Sequence, residues 1–402
     1  MLPVLERFLY FVILFVGSIA TVAGVYSLFL GKTYDRRVSE TIGRRKNKFQ
    51  PHVCLIMPCK GNEPQLEENI ASLLRLDYPN YHVLIVTDTE TDPAHEIAES
   101  IIRKANASNA RLITAIPSRT ASGKVTALLT ALESARGQAE VYAFVDSDAS
   151  ICSSWLSELV DPLVDTTIGA TTGFRWYLAQ GFWSQVQSAW NASGSNLMFD
   201  GKYNFPWGGA MALRAETLDR IHIREVWRDA ISDDLTLNLA LRTHGYHTIF
   251  LPQCTVVTIT KNMTCSRFLT WATNQTALTR TYHRKLWNYA LAVYTFFNAT
   301  FILGIYALSL GFLNNPDWYI PATLLLLPLP IGILRSQMRC ETYQHTLPST
   351  YVQFKKSCRR GSFASLIVPW IMTYCIIKSI YTREIEWRGR KYNLRPVKIA
   401  TP

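Results

Sequence analysis

Two acidic pairs carry the most chemistry in this chain. Asp146-Ser147-Asp148 follows the apolar run Val141–Val145, and Asp233-Asp234 precedes an apolar run that begins at Leu235. Side chains alternate along extended backbone, so an Asp-x-Asp at a strand end turns two carboxylates to one side of a sheet edge. Hard divalent cations bind through such oxygens together with phosphates and waters. The first pair therefore suits a metal-bound diphosphate. The second suits either of two jobs: capping a helix N-terminus, where the dipole favours negative charge, or accepting a proton. Asp88 and the pairs Lys60-Gly61, Gly123-Lys124 and Gly208-Gly209 stand near other apolar runs. They offer a further carboxylate, two amines and backbone that a ligand can approach closely.

These residues need a frame. Val53–Met57, His82–Thr87, Arg111–Ile116 and Val141–Val145 read as strands. Between them Leu66, Ile70, Leu73 and Leu74 repeat at helical spacing, as do Ile97, Ile101 and Ile102, and then Val125, Leu128, Leu129 and Leu132. This alternation predicts an α/β domain with a Rossmann-like, mostly parallel sheet. Such sheets bind ligands beyond the carboxyl ends of their strands. That is where the acidic and glycine residues fall.

The 402 residues are 48% hydrophobic and 18% charged, with a net charge of +11. Soluble chains carry about 25% charged residues. The balance excludes a disordered chain and an ordinary soluble enzyme, and the chain shows no nucleic-acid module. Phe8–Gly31 carries no charge and is long enough to span a bilayer. Arg36, Arg37, Arg44, Arg45, Lys46 and Lys48 follow it, which places the next domain on the cytoplasmic side. Tyr289–Leu313 and Trp318–Leu334 read as a membrane hairpin around the turn Asn314–Pro316. Phe363–Ile380 contains Pro369 and precedes a basic tail, so a re-entrant or interfacial element is expected there. The division is an anchor over 1–35, a catalytic domain over 50–285 and a C-terminal membrane region over 286–402. The eight cysteines include no Cys-x-x-Cys pair, and all are read as reduced thiols. Five Asn-x-Ser/Thr sequons, at Asn106, Asn191, Asn262, Asn274 and Asn298, are read as chance matches. Phe182, Trp183, Val186, Ala189, Trp190 and Leu197 form an aromatic-rich amphipathic stretch, either core or interfacial.

In combination the motifs resemble the family 2 glycosyltransferases of GT-A fold, and within them the membrane-bound ceramide glucosyltransferase-like branch. The resemblance rests on Pro58-Cys59-Lys60-Gly61, Asp77-Tyr78-Pro79, Asp88 with Asp92-Pro93-Ala94, Gly123-Lys124, Asp146-Ser147-Asp148, Gly209-Ala210-Met211, Asp234 and the tail Trp387–Tyr392. One departure is visible. The family's Gln/Arg-x-x-Arg-Trp corresponds to Arg267-Phe268-Leu269-Thr270-Trp271, with Thr270 in place of the second Arg.

The resemblance implies a metal-dependent transferase that inverts a sugar centre in a single displacement. Lys60, Asp88, Lys124, Asp146 and Gly209 would hold the nucleotide sugar. Asp148 would bind Mg²⁺ or Mn²⁺, and Asp234 would be the general base. Arg267, Trp271, Gln275 and Arg280 would lie on the acceptor or nucleotide side. Asp233 is read as a solvated cap. The expected partners are UDP-glucose, a lipid acceptor such as ceramide or diacylglycerol, and the membrane. A processive polysaccharide synthase and a non-catalytic nucleotide-binding scaffold are the competing readings.

Overall fold

The computed structural model describes residues 2–44, 47–313, 315–347, 351–397 and 399. Arg45, Lys46 and Asn314, which entered the orientation and turn readings, lie outside the described residues.

The strands are β1 (Val53–Cys59), β2 (Tyr81–Thr87), β3 (Ala110–Thr114), β4 (Val141–Val145), β5 (Ile168–Thr172), β6 (Arg175–Gln180), β7 (Ala210–Arg214), β8 (His247–Phe250), β9 (Val256–Lys261), β10 (Glu384–Trp387) and β11 (Arg390–Asn393). Seven form one sheet in the order β3-β2-β1-β4-β7-β5-β8. All neighbours are parallel except at β7, which runs antiparallel to both β4 and β5. The chain is thus α/β with a largely parallel sheet. β1 is apolar and almost wholly buried, as a central strand covered on both faces must be. Its alternate residues feed two cores. Val53, Leu55 and Met57 pack with Leu66, Ile70 and Leu73 on one face. Cys54 and Ile56 pack with Val125, Leu128 and Leu132 on the other.

This arrangement fixes the reactive edge. β1, β2 and β4 end at Cys59, Thr87 and Val145, so Lys60, Asp88 and Asp146 emerge together. β7 begins at the same edge because it is reversed, pairing Ala210 with Val145. The amide of Asp146 donates to the carbonyl of Gly209 (3.2 Å).

Three helices are long and apolar enough to cross a membrane: Val4–Ile42, Arg284–Leu313 and Pro316–Thr342. By length and composition they are candidate membrane spans. Small residues let them approach closely, as in membrane helix seams generally. A Cβ on Gly17 would lie 3.0 Å from Leu324, and one on Gly304 would lie 2.7 Å from Leu326.

The last apolar stretch is bent by 61° between Lys355–Leu366 and Val368–Tyr381. Pro369 sits in the first turn after the bend, where its missing N–H is tolerated. Before the bend, Ser357 donates to the carbonyl of Ala179 in β6 (2.9 Å). After it, β10 and β11 fold back onto the edge that carries Lys60 and Asp88. Both ends therefore touch the α/β domain.

The cysteine reading needs one correction. Cys340 and Cys358 form a disulfide that joins the Pro328–Thr342 helix to the Tyr351–Gly361 helix. No Cys-x-x-Cys spacing announced it, because helix packing brings the two together. Three of the sequon asparagines are bonded within the fold, Asn274 and Asn298 buried and Asn191 half-buried: Asn191 donates to Arg175, Asn274 to Glu386 and Asn298 to Pro369.

Candidate active site

Lys124 is the hub of the site. Ser122 caps the Gly123–Ser134 helix through the amide of Val125, which places Lys124 in the first turn, facing the sheet edge. Its ammonium lies 2.8 Å from Asp146 Oδ1 and 2.9 Å from Asp233 Oδ2, and it donates to the carbonyl of Gly208 (3.2 Å). Burial alone would push the Lys124 pKa down, but the Asp146 and Asp233 carboxylates outweigh it and raise the value.

Asp233 is therefore not a solvated cap. It is buried and ion-paired. The cap of the Asp233–Thr243 helix is Ser232, whose hydroxyl accepts from the amide of Leu235. Asp234 faces the cavity, with Oδ1 accepting from the Ser232 hydroxyl (2.5 Å) and the Leu235 amide (2.7 Å). Burial and the neighbouring Asp233 raise its pKa to about 6, against the pull of Lys124.

Two glycines make this geometry possible. A Cβ on Gly208 would overlap Asp233 Oδ2, and one on Gly209 would overlap the Trp207 ring and crowd Asp146. Gly208→Ala is expected to drive Asp233 off Lys124. The cost is about 2 kcal/mol of stability, readable as a lowered melting temperature beside a lowered rate.

Asp146 and Asp148 share a partner that sequence spacing did not reveal. Arg175, the first residue of β6, sets Nη2 at 2.6 Å from Asp146 and 2.7 Å from Asp148, and Nη1 at 3.0 Å from Asp148. The guanidinium also lies 4.9 Å from the centre of the Trp207 ring. Burial would raise the pKa of Asp146, but Lys124 and Arg175 hold it below the usual value. Burial dominates at Asp148 and pushes it up to about 6. Among the described residues no three His, Cys, Asp or Glu side chains gather as a complete metal cage. Two carboxylates at a strand end still fit Mg²⁺ or Mn²⁺ when phosphate oxygens and waters complete the shell. Arg175 now balances their charge.

The C-terminal hairpin closes the opposite wall. Arg390 Nη2 lies 2.6 Å from Asp88, which also pairs with Lys60 at 3.0 Å. Arg388 pairs with Glu63 and donates to the carbonyl of Lys60 (2.9 Å). Tyr392 accepts from the amide of Gly123 (3.2 Å).

The Cys265–Tyr282 helix divides the remaining sequence candidates. Trp271 and Gln275 line the cavity, and the Trp271 and Trp190 rings lie 4.9 Å apart. Arg280 does not reach it. It donates to the carbonyls of Ile380 and Thr382 (both 3.0 Å) and caps the C-terminus of the Val368–Tyr381 helix. Arg267 is exposed in the first turn and lines no part of the cavity. The aromatic stretch is the Phe182–Ser195 helix, with Val186 buried and Phe182 exposed. Trp190 on this helix joins the cavity wall.

A single cavity of about 850 Å³ joins these groups. One end holds Asp88, Asp146, Asp148, Asp233 and Asp234. The other runs between membrane helices past Val293, Phe297, Leu329, Pro369 and Met372.

The glycosyl transferase family 21 profile matches residues 12–400. The chain belongs to that family. Among characterised relatives, it is 30% identical to a ceramide glucosyltransferase of Komagataella phaffii over 115 residues, 28% of this chain and 22% of that one. It is 27% identical to a ceramide glucosyltransferase of Gibberella zeae over 158 residues, 37% of this chain and 29% of that one. The matches thus span less than a third of these relatives' length. A similar solved structure is a mannosyltransferase from Pyrobaculum calidifontis in complex with GDP-Man and Mn²⁺. It is 18% identical, with coverage of 87% of this chain and 98% of that one, and a TM-score of 0.44.

Proposed function

We propose that this family 21 member is a membrane-bound inverting transferase that moves glucose from UDP-glucose onto a lipid hydroxyl, such as that of ceramide or diacylglycerol. The observation that carries this reading is the continuity of the cavity. Its carboxylate end suits a nucleotide sugar, and its apolar end opens among membrane helices where a lipid can lie.

Asp88, Lys60 and Lys124 would hold the nucleotide, with Arg390 and Arg388 of the C-terminal hairpin covering it. Asp146 and Asp148 would hold Mg²⁺ or Mn²⁺, which supplies Lewis-acid stabilisation of the departing diphosphate. Asp234 would take the proton from the acceptor hydroxyl as attack proceeds. Its raised pKa favours that task, and Lys124 pairs with the adjacent Asp233. Trp271, Gln275 and Trp190 would frame the acceptor. With Asp234 as base and the other carboxylates engaged by Lys60, Lys124, Arg175 and Arg390, the reaction would run as a single displacement.

The test uses purified protein in detergent with Mn²⁺, a panel of labelled nucleotide sugars, and ceramide, diacylglycerol or no lipid. One hexose added to one lipid supports the reading. A long water-soluble polymer would replace it with the synthase, and no turnover with any donor would return the scaffold.

The positive-inside rule supports a cytoplasmic catalytic domain. The disulfide at Cys340–Cys358 weighs against it, since disulfides persist in oxidising compartments. Cys152 is an exposed thiol on the catalytic domain. A membrane-impermeant maleimide is expected to label it only after intact cells are permeabilised; labelling of intact cells would reverse the orientation.

A further inference from the structure

One face of the Pro328–Thr342 helix lines the deep part of the cavity, through Leu329, Gly332, Arg335, Ser336 and Arg339. Positions four apart share a helix face, so both arginines turn to the same space. Neither has an acidic partner among the described residues. Arg339 donates to the backbone carbonyl of Ala192 (2.7 Å), and the buried Nε of Arg335 has no hydrogen-bond partner. The titratable groups that act on Arg335 are the phenols Tyr289 and Tyr294. Those that act on Arg339 are Arg335 and the phenols Tyr343, Tyr34 and Tyr294.

Two guanidinium groups in one cavity of a membrane protein, with no anion to offset them, are costly. Arginines at helix ends ordinarily extend to the headgroup layer. These two instead line the internal wall. A guanidinium fork matches an oxyanion in two-point geometry, and phosphate is its strongest common partner.

We propose that Arg335 and Arg339 form a binding site for an oxyanion of the phosphate class, carried by a lipid that occupies this cavity. This rests on reading the apolar end as a lipid site, and it adds a charged requirement to a site otherwise suited to neutral lipids. The lipid phosphate lies toward the Pro328–Thr342 helix while its chains follow the apolar wall.

Phosphatidic acid and diacylglycerol with identical chains differ only by the phosphate and are the natural probes. Binding to the full-length protein in detergent is measured by native mass spectrometry and by thermal shift. Phosphatidic acid is expected to bind at least about tenfold more tightly, the scale of one charge-assisted hydrogen-bond pair. Arg335→Gln should remove most of that preference and Arg335→Lys should retain part of it. Among the described residues Arg335 has no hydrogen-bond partner, so the glutamine variant tests binding rather than folding. Inorganic phosphate is the third arm. Competition by millimolar phosphate would assign the site to free phosphate and overturn the lipid-borne reading, and its absence upholds the lipid headgroup. Equal affinity for the two lipids, or a preference that survives Arg335→Gln combined with Arg339→Gln, would overturn it. This binding readout needs no turnover, so its failure is distinct from failure of the transferase reading.

Discussion

Asp234→Asn is expected to lower kcat by about a thousandfold while leaving the donor KM within a few-fold, the loss typical of a missing general base. The amide keeps the shape of the side chain and can still accept from the Leu235 amide at Oδ1. It cannot take a proton. The pH profile supplies the sharper test. The Asp234 pKa is raised to about 6 by burial and by Asp233. Below pH 6 the carboxyl is protonated and cannot act, so the rate falls about tenfold per pH unit; above pH 6 it is ionised and the rate levels off. Asp148 also titrates near 6. Saturating Mn²⁺ holds Asp148 ionised, because a bound cation dominates the local charge. At saturating metal the acid limb should therefore have unit slope, and Asp234→Asn should flatten it. An unchanged limb in the variant would move the base to Asp233.

The difference between those two neighbours explains what the sequence could and could not convey. The strands were legible because β1, β2 and β4 are short β-branched runs bounded by breakers, and the sheet rule then placed Lys60, Asp88 and Asp146 at one edge. Which of Asp233 and Asp234 pairs with Lys124 depends on the rotation of one helix. No local pattern states that. Arg175 was hidden for a related reason. It opens a strand outside the main sheet and meets Asp148 through tertiary packing. Arg390 meets Asp88 across 302 positions of chain.

Helical geometry accounts for the arginines that fell outside. Arg280 follows Trp271 by nine residues, about two and a half turns, which turns it to the opposite face. Arg267 precedes Trp271 by four and shares its face, but it lies in the first turn, beyond the cavity. Thr270 is also exposed, so its departure from the family pattern leaves the cavity wall unchanged.

Arg175→Met should destabilise the metal-free protein by about 3 kcal/mol, the lower end of what breaking a buried pair costs. The guanidinium is largely buried within a nest of Asp146, Asp148 and the Trp207 ring. Its loss leaves Asp148 without a cation and Asp146 with Lys124 alone. Methionine fills much of the same volume, so the deficit is chiefly electrostatic. A divalent cation should repair it. Mn²⁺ is expected to raise the melting temperature of Arg175→Met by more than it raises that of the parent protein, because in the parent the cation must displace an arginine already in place. Asp148→Asn should behave in the opposite sense. It removes one of the two charges that make a cation welcome, relieves the need for Arg175, and abolishes the Mn²⁺ shift along with at least about a hundredfold of the rate. If both variants responded to Mn²⁺ as the parent does, the cation would bind elsewhere, and the Asp-x-Asp would serve to anchor Arg175 and Lys124.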